Sequence, residues 1–289
     1  MGSGGVVKQV RSGLATRLAA LREHAPGTRE GSDPEELHQM RVSVRRMRAM
    51  LQSARPFLDR ERSEPLRAEL GWLGRALGPV RDLDVLLEHL REEAADLPEQ
   101  EAAARLLAGL DAEYAHARGD LLAALDSDRY RELLARLEAA TEGLPAAKSE
   151  SDGGEKALRD LVLRQFRKLR EDVDALDADP PDERLHALRI RGKKVRYTAE
   201  LAEPALGKPV RRLIKAAKNF QDVLGEHQDA CVAEQRLREL AGGSDAEAAF
   251  VAGRLVEREE LRKADRRARW PEAWAKLAEE AQQLRGGSR

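Results

Sequence analysis

Leu37-His38-Gln39-Met40-Arg41-Val42-Ser43-Val44-Arg45-Arg46-Met47-Arg48-Ala49-Met50-Leu51, with its continuation to Leu58, carries five arginines (Arg41, Arg45, Arg46, Arg48, Arg55), one histidine and no acid. The pattern returns 148 positions later in Leu185-His186-Ala187-Leu188-Arg189-Ile190-Arg191-Gly192-Lys193-Lys194-Val195-Arg196-Tyr197. His38 matches His186, Arg41 matches Arg189, Arg45 and Arg46 match Lys193 and Lys194, and Arg48 matches Arg196.

On a helical wheel with His38 at zero, Arg41, Arg45 and Arg48 fall near 300°, 340° and 280°, so the four share an arc of roughly 80°. Leu37, Met40, Val44, Met47 and Leu51 occupy the arc from about 180° to 260°. The basic stripe therefore borders the core-facing stripe. In the second copy Leu185, Leu188 and Val195 take the apolar arc, and His186, Arg189, Lys193 and Arg196 take the basic one. Long cationic side chains beside the core pack their stems and direct their heads into the seam between elements. Four such groups along about 15 Å of helix suit an extended anion better than a single phosphate.

A charge run on a helix is ordinarily a solvated face. The missing acids argue otherwise. The chain has 51 Lys and Arg against 52 Asp and Glu, yet all ten charged positions in 37–58 and 185–199 are basic. Independent draws would do that about once in a thousand, an argument that duplication of the segment weakens. The net charge of −1 excludes global basicity, so affinity for a polyanion has to come from segregation of charge.

The remaining composition favours helix. Aromatics are 3% and charged residues 36% of the 289, and the abundant Ala, Leu, Arg and Glu lose little rotamer freedom in a helix. The expected class is all-α. Apolar spacing places helices over about 6–24 (ended by Pro26-Gly27), 34–58, 61–78 (ended by Gly78-Pro79), a fourth from Arg81 to before Pro98, 99–125, 128–142, 155–176, the second basic helix, 208 to the Leu224-Gly225 turn, a following helix to Leu240, and 245–281. Asp33-Pro34-Glu35-Glu36 is a helix start with an oxygen cap and a first-turn proline, and Asp179 to Glu183 is its counterpart. The Leu77-Gly78 to Asp82 junction recurs at Leu224-Gly225 to Asp229, an offset of 147. One domain over 6–283 follows, with a first half 6–142, a polar connector 143–154 and a second half 155–283. The halves are expected to be helical bundles related by an approximate two-fold, whose facing basic helices make a cleft.

Cys231 is the lone cysteine, which excludes an intramolecular disulfide, suits a reduced compartment and is expected to have no His or Cys at metal-ligand spacing. The N-terminus shows no signal-peptide pattern and no window is apolar enough to span a membrane, so a cytoplasmic protein is expected. Lys215 and Lys218, with Arg211, are candidates for a second basic stripe. The two histidines suit phosphate contact or hydrogen bonding near a helix start; neither has a second ligand at i+3 or i+4. No glycine-rich phosphate loop, nucleophile elbow or His-Glu-x-x-His is present. Helix starts and salt bridges account for Asp82, Asp84, Asp222 and Asp229 more simply than a metal. A non-enzymatic role without cofactor or metal is expected. A nucleic-acid-binding module is the competing reading, disfavoured because stacking aromatics are scarce, and a phosphohydrolase accessory is the third.

Four segments in order carry a family resemblance: Leu37-His38-x-x-Arg41-x-x-x-Arg45-Arg46-x-Arg48, Leu77-Gly78-x-x-Arg81-Asp82-x-Asp84-Val85, Leu185-His186-x-x-Arg189-x-x-x-Lys193-Lys194-x-Arg196-Tyr197 and Gln221-Asp222-x-Leu224-Gly225-x-x-x-Asp229. The chain resembles the CHAD family from about residue 6 to 283. That resemblance implies two four-helix bundles with pseudo-two-fold symmetry and a basic central channel binding inorganic polyphosphate, with granule association in the cytoplasm among the expected settings. No specific nucleic acid and no membrane are expected as partners, and the resemblance does not imply catalysis. By position, His38, Arg41, Arg45, Arg48, His186, Arg189, Lys193 and Arg196 would line the channel, with Lys215 and Lys218 added on charge. Lys193-Lys194 stand where the pattern has arginines, which weakens bidentate phosphate geometry, and Gly192 interrupts the second basic helix at a cost in propensity.

Overall fold

Asp33 shows the local logic of the fold: its side chain accepts the Glu35 N–H at 2.8 Å, Pro34 follows, and α2 (Pro34–Ser53) begins there. The structure is a computed structural model describing residues 3–147 and 154–286. Its regular elements are α1 (Ser3–Glu30), α2, a 3-10 turn (Arg55–Phe57), α3 (Arg60–Ala94), α4 (Gln100–Asp126), α5 (Asp128–Gly143), α6 (Glu155–Asp174), α7 (Asp182–Leu206), α8 (Lys208–Ala241) and α9 (Ala246–Gly286). Among the described residues the only extended pairing is a single bridge, Leu58 to Ala146. The protein is all-α.

Several expected breaks do not break. α1 runs through Pro26 and stops at Gly31, whose φ is 74° and whose N–H reaches the Gly27 carbonyl at 2.8 Å. Arg118 donates to the carbonyls of Thr28, Arg29 and Glu30, so the end of α1 is capped by a side chain from α4. α3 passes through Gly78-Pro79 as one helix of 35 residues. An interior proline costs about 3 kcal/mol. Full burial of a large aliphatic side chain returns roughly 1.5 to 3 kcal/mol, and Leu70, Leu73, Leu77 and Val80 are all fully buried around that proline. Packing outweighs the breaker. α8 likewise continues through Leu224-Gly225, and α7 passes Pro204 to end at Gly207, with φ of 64°.

The chain divides into two compact units, Met1–His89 with Gly109–Gly154, and Leu90–Ala108 with Glu155–Arg289. The segment 90–108, placed in the first half by chain order, belongs to the second unit. Its ion pairs with α9 supply the reason: Arg254 with Glu99, Arg258 with Glu93 and Asp96, and Arg105 with Asp245 and Glu247. In the first unit α1 packs on α2 and α5. The start of the connector is tied down there: Asp59 N–H donates to Pro145 and Ala147 N–H to Phe57. Connector residues 148–153 lie outside the described residues.

In the second unit α8 packs against α7 and α9, and α6 against α7 and α9. The Trp274 ring stacks on Phe166 with centroids 5.6 Å apart and meets Phe220 at 6.1 Å. Gly192 does not interrupt α7. It is buried where a Cβ would stand 3.0 Å from the Phe220 ring, and its carbonyl accepts from Gln221 Nε2 at 3.0 Å. The glycine is the condition for close approach of α7 to α8.

Gly31→Ala should lower stability by about 1 to 2 kcal/mol, because an L-residue is strained at positive φ and the new methyl would collide with the Arg118 guanidinium. Gly119→Ala in α4, with nothing within 4 Å of the added carbon, should instead raise it by roughly 0.5 to 1 kcal/mol. Urea unfolding of both variants checks the pair; a Gly31 variant as stable as the parent would refute the cap.

Candidate functional site

The apolar stripe of α2 is where the wheel puts it: Met40, Val44, Met47 and Leu51 are at most 2% exposed. Beside it α3 presents Gly71, Gly74 and Gly78, three or four residues apart and so on one face. Val44 Cγ1 lies 3.8 Å from where a Gly74 Cβ would stand. α2 therefore lies close along the glycine face of α3, and its cations reach across that face.

Arg41, half-buried, donates from Nη1 to the Gly78 carbonyl and to Asp82 Oδ1, each at 2.8 Å. Arg48 is exposed, with its guanidinium carbon 3.6 Å from the Gly71 Cβ position and Arg75 Nη1 3.7 Å from the same point. Two guanidinium groups thus crowd one glycine. His38 is half-buried, and burial, then the Arg81 charge, with Arg45 and Arg41 behind it, hold its imidazole below the ordinary 6.5 despite Glu35. His38, Arg41, Arg45 and Arg81 are one electropositive cluster. Arg81 and Arg75 were not among the expected site residues. Both are legible only once α3 is known to continue past Pro79 and lie against α2.

The second unit repeats the motif with differences. Arg189 lies over Gly225, its Nε 3.5 Å and Nη2 3.7 Å from the Cβ position, whereas Arg41 reaches the matching Gly78 through its carbonyl, with nothing within 4 Å of that Cβ position. Its Nε is buried with no hydrogen-bond partner. His186 Nδ1 donates to Gln228 Oε1 at 2.7 Å, which leaves Nε2 as the acceptor face. Arg196 is close to Glu200 (3.3 Å) with its side chain 15% exposed. Lys193 is half-buried and Lys215 exposed. Lys218 is salt-bridged to Asp222 at 2.6 Å and Arg211 to Glu203 at 3.2 Å, so the second stripe proposed on α8 is partly neutralised within its own unit.

The aspartates have local partners. Asp82 holds Arg41 and Asp222 holds Lys218. Burial raises the Asp84 carboxyl above its ordinary value, against a hydrogen bond from the Tyr114 hydroxyl. Cys231 corrects an expectation. His227 precedes it by four residues on α8, one turn away on the same face, and Asp182 closes a cluster whose ligand atoms all lie within 4.8 Å. The spacing was readable; the contribution of Asp182 from α7 was not.

His38 should titrate below 6.5 by NMR in the free protein, and Arg81→Gln should raise its value by removing the largest like charge. Because the folded value is depressed, the unfolded chain binds this proton first as pH falls. The group's contribution to stability is therefore intact above 6.5 and lost progressively below it. A wild-type His38 titrating at or above 6.5 would disprove the cluster.

The family profile described as the CHAD domain matches residues 12–238. Uncharacterized protein MT2285 of Mycobacterium tuberculosis (strain CDC 1551 / Oshkosh) is 29% identical over 238 residues, covering 78% of this chain and 44% of its own length. Uncharacterized protein Rv2226 of strain ATCC 25618 / H37Rv matches equally. The chain thus spans less than half the length of these curated relatives. Among solved structures, the CHAD domain from the plant Ricinus communis superposes with a TM-score of 0.69 at 27% identity, over 94% of this chain and 91% of that one. PptA from Streptomyces chartreusis gives 0.74 at 21% identity, over 95% and 99%, a likeness of fold. All four sequence motifs fall inside the matched span, and the chain belongs to the CHAD domain family.

Proposed function

We propose that the protein binds inorganic polyphosphate without turning it over, through the basic faces of α2 and α7, and serves as a cytoplasmic scaffold, granule component or targeting module. The observation that carries this reading is the pair of acid-free basic motifs whose arginines lie against glycines of the neighbouring helix, Arg41 at Gly78 and Arg189 at Gly225. Membership of the CHAD family supports the ligand class.

The physical case is one of preorganisation. Arg41 and Arg189 are half-buried at the edge of the packed core, so less side-chain freedom is lost there on binding. Fixed guanidinium forks engage successive phosphoryl oxygens, where charge-assisted hydrogen bonds are about twice as strong as neutral ones. A repeating anion with a charge at each unit matches cations spread along a helix; a single phosphate engages only one or two of them.

Arg41→Ala/Arg189→Ala should weaken affinity for long-chain polyphosphate at least about tenfold, since each hydrogen bond to a charged group contributes roughly 1.5 to 3 kcal/mol. The logarithm of affinity should fall linearly with the logarithm of salt, with roughly −0.7 in slope per phosphate neutralised on a flexible strand. Calorimetry on the folded double variant across a salt series reads both; unchanged affinity would move the site elsewhere. Competition by RNA at equal phosphate concentration would instead favour a nucleic-acid module.

Acid should tighten binding. A bound polyanion favours the His38 imidazolium, raising its value in the complex above the depressed one in the free protein. Affinity therefore rises as pH falls through the complex value and levels off below the free value. Affinity that is flat from pH 8 to about pH 5, in the range where histidine titrates, would exclude His38 from the contact.

A further inference from the structure

The second unit holds a cavity of about 700 Å³ whose walls include Asp182, His186, Gln228, Cys231, Glu234 and Lys263. At one side stand three donor atoms of different hardness. His227, 1% exposed, places Nε2 at 3.2 Å from Asp182 Oδ1. Cys231 Sγ is 3.8 Å from His227 Nδ1 and 4.0 Å from Nε2. Both are long, weak sulfur contacts, and the thiol also hydrogen-bonds to the Asp182 carboxylate. We propose that Asp182, His227 and Cys231 bind one zinc-class divalent ion, with its fourth coordination position facing the cavity.

Tetrahedral zinc with bonds of about 2.0 to 2.3 Å separates its donors by roughly 3.3 to 3.8 Å. The Asp182–His227 spacing is already close to that, whereas Cys231 Sγ, now 3.8 Å from Nδ1 and 4.0 Å from Nε2, has to swing round the ring edge to the Nε2 side by about an ångström or more. The rotor freedom of a cysteine on a helix covers it. His227 and Cys231 are i and i+4 on α8, hence on one face, and Asp182 is the first residue of α7, so all three sit on regular elements. The mixed sulfur, nitrogen and oxygen set selects zinc or cobalt over magnesium and calcium, which take oxygen ligands.

The surrounding charges are compatible. Arg267 donates to Asp182 Oδ1 at 2.9 Å but is also held by Asp179 at 2.6 Å and by the Pro180 carbonyl. Lys263 lies 3.5 Å from Asp182 Oδ2, with its closer partner Glu234 at 2.6 Å. Asp179, Asp182 and Glu234 balance Arg267, Lys263 and Arg238, the last paired with Glu234 at 3.0 Å. A divalent ion with a deprotonated Cys231 adds one positive charge to a wall that also carries Glu183 and Glu239. Burial pushes the free thiol up to about 12, so the metal must displace its proton. Coordination at Nε2 moves the imidazole proton to Nδ1 and releases the thiol proton to solvent, one proton per ion bound. Water or an oxyanion completes the fourth position, within the cavity that His186 of the second basic motif also lines.

The test uses the full, untagged chain and Co²⁺ as probe. One equivalent should bind with near-ultraviolet thiolate-to-cobalt charge-transfer absorption that Zn²⁺ abolishes by displacement. Zn²⁺ should also raise the melting temperature of the wild type. Cys231→Ser should lose the absorption and bind at least about 100-fold more weakly, given that even outer-shell changes cost 10- to 100-fold. Asp182→Asn provides a second variant should the serine form fail to fold. Absence of the charge-transfer band in the wild type, or equal Zn²⁺ affinity in Cys231→Ser, would reduce the cluster to a buried hydrogen-bond network. Neither result bears on polyphosphate binding, which is read separately.

Discussion

An arginine laid over a glycine of the next helix is the contact on which the site depends. Arg41 reaches the Gly78 carbonyl and Arg189 covers Gly225, and both contacts require α2 and α7 to lie close to α3 and α8. The approach is tight in the second unit, where a Cβ at Gly192 of α7 would stand 3.0 Å from the Phe220 ring of α8; at Gly71, Gly74 and Gly225 a Cβ would make only ordinary contacts of 3.5 to 3.8 Å. The buried rows Met40, Val44, Met47, Leu51 and Leu185, Leu188, Val195 supply the free energy. A cluster of like charges is costly to assemble, and here the adjacent core, roughly 1.5 to 3 kcal/mol per fully buried side chain, holds it together.

The helix class and the two basic stripes were legible because they depend on local periodicity and charge sign, which a single stretch displays. The ends of helices were less so. Pro26 and Pro79 are local arguments for a stop, and tertiary packing overrules both: Arg118 of α4 caps the end of α1, and the residues around Pro79 are fully buried. The membership of 90–108 in the second unit rests on α9 arginines more than 150 positions away, Arg254 with Glu99 and Arg258 with Asp96. No reading of 90–108 alone contains that information. Arg81 stood in a quoted motif yet was not assigned to the site, because its place beside His38 follows from helix packing.

The two copies of the motif have diverged in a physically consistent way. Arg81 of the first unit corresponds to Gln228 in the second, so His38 sits among cations while His186 has its Nδ1 proton fixed by an amide oxygen. Arg75 corresponds to Asp222, which reverses the charge, and Gly71 corresponds to Lys218, which that aspartate neutralises. The pair Arg48 and Arg75 therefore has no cationic counterpart at the equivalent place on α8.

Such divergence assigns unequal work to the two faces. The first unit concentrates guanidinium groups, which bind phosphoryl oxygens in bidentate fashion, whereas the second offers Lys193 and Lys194 where the first has Arg45 and Arg46. Ammonium groups act as more strongly hydrated point charges with less directional preference. If the basic faces bind an anion as proposed, strength should reside with the guanidinium-rich α2 and α3, while in the second unit His186 is held by Gln228 and shares its cavity with Asp182 and Cys231. Exchange of one arginine for glutamine, Arg81 against Gln228, puts a cation beside His38 and an amide oxygen against His186 Nδ1, so the two histidines face opposite polarities.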